Sequence, residues 1–174
     1  MSGGGTQRRL FLALWPDDRM RKRLAQAARQ WSRQPVNAAN LHMTLHFLGG
    51  CTVEQLQCYS HEISRITFEP FEISLDYLGG WARSSIQWLG ASEAPQALNA
   101  LVDALRGALV QCGYQPDERH FVPHVTLSRN ERNPSIKAGL PAIKWWVSGF
   151  VLAESVRVDG AVHYRVIERW PARE

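Results

Sequence analysis

The sequence predicts an α+β fold made of two similar halves, and three observations lead to this class. Segments with apolar residues at helical spacing alternate with segments in which apolar and polar residues alternate, as they do in strands. The order strand, helix, strand occurs twice, and each repeat ends in a His-x-Thr-Leu string, at residues 42–45 and 124–127. We therefore expect one bilobal, pseudo-twofold domain over residues 8–174, with two antiparallel-rich sheets flanking a central cleft, helices on the outside and a flexible tail at residues 1–7.

The first half begins with an apolar strand followed by an amphipathic helix. Residues 10–15 form a continuous apolar run that stops at Pro16, which predicts a buried strand. Asp17 or Asp18 then caps a helix, because the apolar positions within residues 20–31 recur at helical spacing.

A second strand, a second helix and a third strand complete this half. Residues 41–48 form the first motif strand, which ends at a Gly-Gly pair. Residues 52–55 (Thr-Val-Glu-Gln) have the pattern of a capping box and predict the start of a helix. Residues 71–77 alternate apolar and polar side chains, which predicts a strand with one solvent-exposed face.

The second half repeats this plan and adds a hairpin. A strand at residues 85–90 precedes a helix that Gly113 stops, and the second motif strand covers residues 124–129. Residues 130–144 contain two prolines and a glycine, which predicts a loop bordering a cleft. Residues 145–170 predict two further strands, 145–154 and 155–170, with Asp159-Gly160 as a hairpin dipeptide.

The composition favours a globular protein with an anionic ligand. The formal charge is +4, and only three of the 20 cationic side chains are lysines, so arginine dominates. Because the guanidinium fork matches phosphate oxygens at two points, this bias favours a phosphate-bearing ligand. No signal peptide is evident, and no apolar run approaches the roughly 20 residues that span a bilayer, which predicts a cytoplasmic protein without a membrane segment.

The three cysteines predict neither a zinc site nor a disulfide framework. Cys51, Cys58 and Cys112 are odd in number and lack a CxxC spacing. We expect them to be packed or idle thiols in a reducing cytosol.

The two His-x-Thr motifs point to proton-transfer chemistry on a phosphate. In a strand, residues i and i+2 lie on one side, so His42 and Thr44, or His124 and Thr126, face together while their neighbours enter the core. One neutral imidazole accepts a proton while a charged partner donates one, and in-line attack on phosphorus needs both roles on opposite sides. The hydroxyls supply hydrogen bonds to the non-bridging oxygens.

A metal site is the main alternative, and the sequence argues against it. His42 and His46, and also His120 and His124, have the i, i+4 spacing of helical zinc ligands. In a strand those residues are roughly 13 Å apart, too far to share an ion. We expect no metal and no cofactor, and we place His46 on the His42 face, farther along, in a supporting or surface role. P-loop, GxGxxG and GxSxG motifs are absent from the sequence.

The paired motifs, about eighty residues apart, resemble the signature of the two-histidine phosphoesterase superfamily. The stretches at residues 9–14, 40–49, 88–90 and 123–129 resemble its bacterial RNA 2′,3′-cyclic phosphodiesterases, also called 2′-5′ RNA ligase-like proteins. This resemblance implies a bilobal fold with one motif from each lobe at a central cleft. It also implies metal-independent hydrolysis of RNA ends or nucleotides that carry a 2′,3′-cyclic phosphate, giving a 2′-phosphate.

The resemblance also implies a role for individual residues. His42 would be the general acid and His124 the general base, although the motif by itself is symmetric. Thr44, Thr126 and Arg129 would hold the phosphate. Phe47 and Phe11 would offer a flat surface to a base, with core packing as the alternative for both.

Two other functions stay open at the level of sequence. The same fold would serve a 2′-5′ RNA ligase or phosphodiesterase, and the same cleft would serve a non-catalytic nucleotide- or RNA-binding module. Intact copies of both motifs favour catalysis, because binding alone needs neither imidazole to titrate. We expect a monomer whose partners are RNA ends or nucleotides.

Overall fold

The computed structural model describes residues 7–173, so nearly all of the predicted tail at residues 1–7 lies outside the described part. Its helices are α1 (Asp18–Trp31), α2 (Val53–Ile63) and α3 (Gln96–Val110). Its strands are β1 (Arg8–Leu14), β2 (Met43–Cys51), β3 (Phe71–Leu75), β4 (Tyr77–Trp81), β5 (Ile86–Gly90), β6 (His124–Ser128), β7 (Ile143–Val147), β8 (Gly149–Val158) and β9 (Ala161–Pro171). Short 3₁₀ turns occupy Ala38–Asn40 and Ala82–Ser84.

The strands form two antiparallel sheets, which confirms the α+β class. Seven strands pair in the order β4-β5-β6-β2-β1-β8-β9, and β3 pairs with β7 in a small second sheet. The two motif strands, β2 and β6, are neighbours in the middle of the large sheet, where a single residue pair, Met43 and Val125, joins them. This seam divides the sheet into two halves, β4-β5-β6 and β2-β1-β8-β9, and brings one motif from each half together.

All three helices pack on one side of the large sheet. Leu10, Leu12 and Leu14 of β1 point to that side and join a core that includes the buried faces of the helices. The opposite side of β1, β8 and β9 carries a separate small cluster: Phe11, Ala13, Val151 and Ala153, with Trp15, Tyr164 and Val166 packed against it. We call this second side of the three strands the open face.

The predicted helix caps are present. The Asp17 carboxylate accepts the N–H of Met20 at 2.7 Å, so Asp17 is the N-cap of α1. At α2, Thr52 and Gln55 exchange side-chain and backbone hydrogen bonds, which confirms the capping box.

The single strand predicted at residues 71–77 is wrong, because it divides at Asp76 between the two sheets. β3 pairs with β7, whereas β4 pairs with β5. The Asp76 carboxylate accepts hydrogen bonds from the N–H and the hydroxyl of Ser92, which fixes the chain at this change of sheet.

The C-terminal region contains three strands rather than the two predicted. The chain breaks at Ser148, between β7 and β8, and β8 continues past Ser155 to Val158. The turn at Asp159 and Gly160 is confirmed, since both residues have positive φ (49° and 80°), as a two-residue hairpin turn requires.

The prediction of three unpaired thiols is also wrong, because a disulfide joins Cys58 to Cys112. Cys58 lies on α2 and Cys112 lies just after α3, and these helices pack together. A separation of 54 residues carries no local spacing signal, so only the tertiary contact reveals the pair. Cys51 is free and buried.

No helix within residues 7–173 is long and apolar enough to cross a bilayer.

Candidate active site

His42 lies immediately before β2, and its ring is held through both nitrogens. Nδ1 lies 2.7 Å from the carbonyl oxygen of Asn40, and Nε2 lies 2.9 Å from the Thr44 hydroxyl. Because a carbonyl only accepts, we assign the proton to Nδ1. In the neutral ring Nε2 then accepts from Thr44, and it is the nitrogen available for proton transfer.

His124, the first residue of β6, repeats the Nδ1 contact but not the hydrogen bond to the motif threonine. Its Nδ1 lies 2.8 Å from the carbonyl oxygen of Val122, again two residues earlier in the chain. The same reasoning leaves Nε2 as the working nitrogen. The two halves therefore present their histidines in the same way, as the pseudo-twofold prediction required.

One large cavity of about 830 Å³ crosses the seam between the halves. Six of the seven predicted site residues line it: His42, Thr44, Phe47, His124, Thr126 and Arg129. A smaller cavity of about 230 Å³ shares His42, Thr126 and Arg129 and extends to Tyr164. The structure thus gathers both motifs and the adjacent arginine around one space.

Both histidines are held neutral near neutral pH. Burial lowers the pKa of His42 to about 4, which outweighs the hydrogen bond to Asn40, and the positive charge of Arg129 adds to the lowering. Burial also lowers the pKa of His124, and Arg129 again contributes. Arg129 therefore acts electrostatically on both rings, and an anionic phosphate between them would counter its effect.

Three aromatic rings surround His42, and two of them, Trp15 and Tyr164, are not among the residues predicted from the sequence. The ring of Trp15 stacks on it at a centroid distance of 5.8 Å, and Tyr164 meets it edge-on at 5.0 Å. Phe11 lies 4.9 Å away. The order β2-β1-β8-β9 brings these residues together, and no sequence pattern indicates that order.

Two tryptophans that were also missed as site residues flank His124. Trp81 contacts its ring edge-on at 4.7 Å, and Trp88 lies 5.9 Å away. Trp88 on β5 pairs with Thr126 on β6, and paired residues of neighbouring strands point to the same side of the sheet. Trp88 could therefore have been predicted as a site residue only with knowledge of this strand pairing. The Trp88 ring occupies the space beside Gly79, where an added Cβ would come within 2.2 Å of it.

The two predicted base-stacking phenylalanines differ in exposure. Phe47 is 67% exposed and lines the large cavity, whereas Phe11 is 3% exposed. Phe11 therefore lacks a free face for a base and instead supports the ring of His42.

His46 does not lie on the His42 face, so the prediction for its position is wrong. A β-bulge in β2 shifts the register: Ala13 pairs with Thr44, but Leu12 already pairs with His46. This shift turns His46 to the helix side, where it is 7% exposed and its Nε2 donates to the carbonyl of Val102 on α3 at 2.8 Å.

Within residues 7–173, no three His, Cys, Asp or Glu side chains come together as a metal-binding group.

Comparison with known proteins places this chain among phosphoesterases with paired histidine motifs. The family model of the 2′-5′ RNA ligase superfamily matches residues 16–165. An Escherichia coli protein named RNA 2′,3′-cyclic phosphodiesterase is 34% identical over 139 residues, covering 79% of this chain and 78% of its own length. A protein of the same name from Thermus thermophilus is 30% identical, covering 95% of this chain and 90% of its own length.

Solved structures agree with the sequence matches. The crystal structure of E. coli LigT complexed with 3′-AMP superposes with a TM-score of 0.88 and 30% identity, over 97% of this chain and 99% of LigT. The family match, the relatives and the common fold together show that this chain belongs to the 2′-5′ RNA ligase superfamily.

Proposed function

We propose that this protein hydrolyses the 2′,3′-cyclic phosphate of RNA ends or nucleotides to a 2′-phosphomonoester, without a metal ion. The observation that carries the proposal is the cavity at the seam, which both motif histidines line together with both motif threonines and Arg129. The Nδ1 of each histidine is bound to a backbone carbonyl, which leaves each Nε2 for the substrate. The names of the relatives and the 3′-AMP bound to LigT support the choice of substrate class. Because both histidines come from one chain, the proposal is for a monomer, and an RNA substrate favours the cytoplasm.

In the proposed reaction His124 is the general base. Its lowered pKa keeps the ring neutral, so Nε2 is free to take a proton from water. The water oxygen then forms a bond to phosphorus on the side opposite the leaving oxygen. The bond from phosphorus to the 3′-oxygen breaks, and the phosphate stays on the 2′-oxygen.

His42 is the proposed general acid, which delivers a proton to the 3′-oxygen as the bond breaks. Its ring is neutral in the free protein, and the negative phosphate raises the pKa of His42 when it enters beside the ring. Thr44, Thr126 and Arg129 line the same cavity, and in this proposal they bind the non-bridging oxygens, where charge develops. The strained five-membered cyclic phosphate needs less activation than an open diester, so positioning and two proton transfers are sufficient.

Product analysis on a short RNA with a 2′,3′-cyclic end tests the proposal. We expect a 2′-phosphate product, an unchanged rate in EDTA, and loss of at least about 100-fold in kcat for His42→Ala and for His124→Ala. His163→Ala, at an exposed position on β9, is the matched control and should keep the wild-type rate. Near-normal turnover by either motif variant would refute the two-histidine mechanism, and a 3′-phosphate product would reverse the roles of the two rings.

A non-catalytic binding module predicts a different result. The wild-type protein would bind the cyclic end but release it unchanged, and neither histidine variant would alter this outcome.

A further inference from the structure

The open face ends in a tryptophan-lined groove that the proposed reaction does not use. The groove has a volume of about 260 Å³, and its lining includes Trp15, Trp145, Trp146, Trp170 and Arg169. Trp146 is 61% exposed, an unusual position for so large an apolar ring. Trp145 is 4% exposed and Trp15 and Trp170 are partly buried, so Trp146 is the indole in the groove that offers an open ring face. An exposed indole is the kind of surface on which an unpaired base stacks.

Trp15 connects this groove to the candidate active site. Trp15 lines the groove and also stacks on His42 at 5.8 Å. Tyr164, on the same face, contacts His42 at 5.0 Å and lines the small cavity beside it. An RNA chain that leaves the phosphate position beside Trp15 and Tyr164 therefore passes directly onto the open face.

The charged side chains of β8 and β9 are divided between the two sides of the sheet. Arg169 pairs with Val151, and Arg157 pairs with Val162, which lines the small cavity, so both arginines share the open face. In the described part of the chain, neither arginine takes part in an ion pair.

The carboxylates of these strands lie on the other side or are already engaged. Glu154 pairs with Leu10 on the helix side, where Arg8 and Arg165 neutralise it. Glu168 accepts a hydrogen bond from Ser60 of α2 at 2.7 Å. Among the residues lining the groove, Asp17 alone is acidic, and its carboxylate caps α1. The open face is therefore positive.

We propose that the open face binds the single-stranded RNA that precedes the cyclic end, with the arginines on its phosphates and the exposed ring of Trp146 under one of its bases. This proposal rests on the proposed function. From Val162 to Arg169 the strand extends roughly 20 Å, which is long enough to contact several nucleotides. Cations outside any ion pair beside an exposed aromatic ring are features of proteins that hold single strands without reading their sequence.

Substrate length provides the test. We compare KM for a 2′,3′-cyclic mononucleotide with KM for an octanucleotide ending in the same cyclic phosphate, in wild-type protein and in the double variant Arg157→Glu/Arg169→Glu. The octanucleotide KM should rise at least tenfold, and its log–log dependence on salt should fall by about 1.4 for two lost phosphate contacts. The mononucleotide KM and both kcat values should stay within about twofold, because the face lies outside the phosphate site. Trp146→Ala should raise only the octanucleotide KM, by about fivefold or more.

The matched control is Arg29→Glu, at an exposed position on the last turn of α1. The proposal is overturned if Arg29→Glu raises the octanucleotide KM as much as the double variant does, or if the double variant leaves this KM unchanged. Neither result would contradict the proposed phosphodiesterase activity. If wild-type protein turns over neither substrate, the proposed function fails. Binding of a fluorescent 3′-phosphorylated octanucleotide then decides: at least tenfold weaker binding by the double variant alone supports the open face, and any other result rejects it.

Discussion

Replacing His42 with asparagine should remove a defined part of the protein's sensitivity to acid. The ring is 9% exposed, and burial lowers its pKa to about 4 from an ordinary value of 6.5. Between these two values the unfolded chain binds a proton at this position that the folded protein does not bind. The contribution of the neutral His42 ring to the free energy of unfolding is therefore fully present above about pH 6.5, and it is lost as the pH drops toward 4.

The size of this effect follows from the two pKa values. A difference between about 4 and 6.5 corresponds to about 3 kcal/mol of unfolding free energy once the pH is below both values. At pH 4.5 most of this loss, about 2 to 3 kcal/mol, has occurred. Asparagine does not titrate. Between pH 7 and pH 4.5 the unfolding free energy of His42→Asn should therefore fall by about 2 to 3 kcal/mol less than that of the wild type. Any cost of its lost hydrogen bonds is the same at both pH values.

Urea unfolding followed by tryptophan fluorescence at the two pH values measures the difference. His163→Asn, at an exposed position on β9, is the control and should show the full wild-type loss, because it leaves the buried His42 ring in place. Equal losses in wild type and His42→Asn would refute the reasoning, since the buried ring would then not be held neutral.

Three further predictions concern charge, packing and the disulfide. Arg129→Gln should raise the pKa of both motif histidines, seen by NMR titration of their ring protons, because Arg129 adds to the lowering that burial causes; unmoved titrations would contradict this electrostatic role. Gly79→Ala should destabilise the protein by about 1 to 3 kcal/mol and reduce kcat, because the new methyl group meets the Trp88 ring that flanks His124; a denaturation midpoint equal to wild type would show that Trp88 moves freely. Cys58→Ser should lower the unfolding free energy by about 4 kcal/mol, because the bond to Cys112 closes a loop with a sequence separation of 54 residues. Dithiothreitol should lower the melting temperature of the wild type but not that of the variant. A wild-type melting temperature that the reductant does not change would contradict this prediction.

The sequence was sufficient to predict that the two motifs lie together at one cavity, the candidate site. His42 and His124 are found because the same four-residue pattern recurs and because strand parity is a local rule that needs no knowledge of the sheet. The threonines follow from the same rule. The N-caps at Asp17 and Thr52 are also local, since each depends on hydrogen bonds within one turn.

The surroundings of the site were not predictable, because they depend on contacts between distant segments. Tyr164 reaches His42 only because β9 and β1 flank β8, and strand order is not written in any one segment. The prediction for the position of His46 was wrong for a different reason. A bulge adds one residue to a strand without a sequence signature, and that residue reverses the side of every position after it.

The seam between the motif strands has a consequence for how the two motif histidines are aligned. A single residue pair, Met43 with Val125, joins β2 to β6, so backbone pairing constrains the two histidines little. Both residues of the pair are fully buried, and α1 packs against β6 from the helix side. The separation of His42 and His124 is therefore set mainly by the volume of the side chains beneath them. Since an error of about 1 Å in such an alignment costs roughly 100-fold in rate, substitutions deep in the hydrophobic interior are expected to affect turnover before they affect folding.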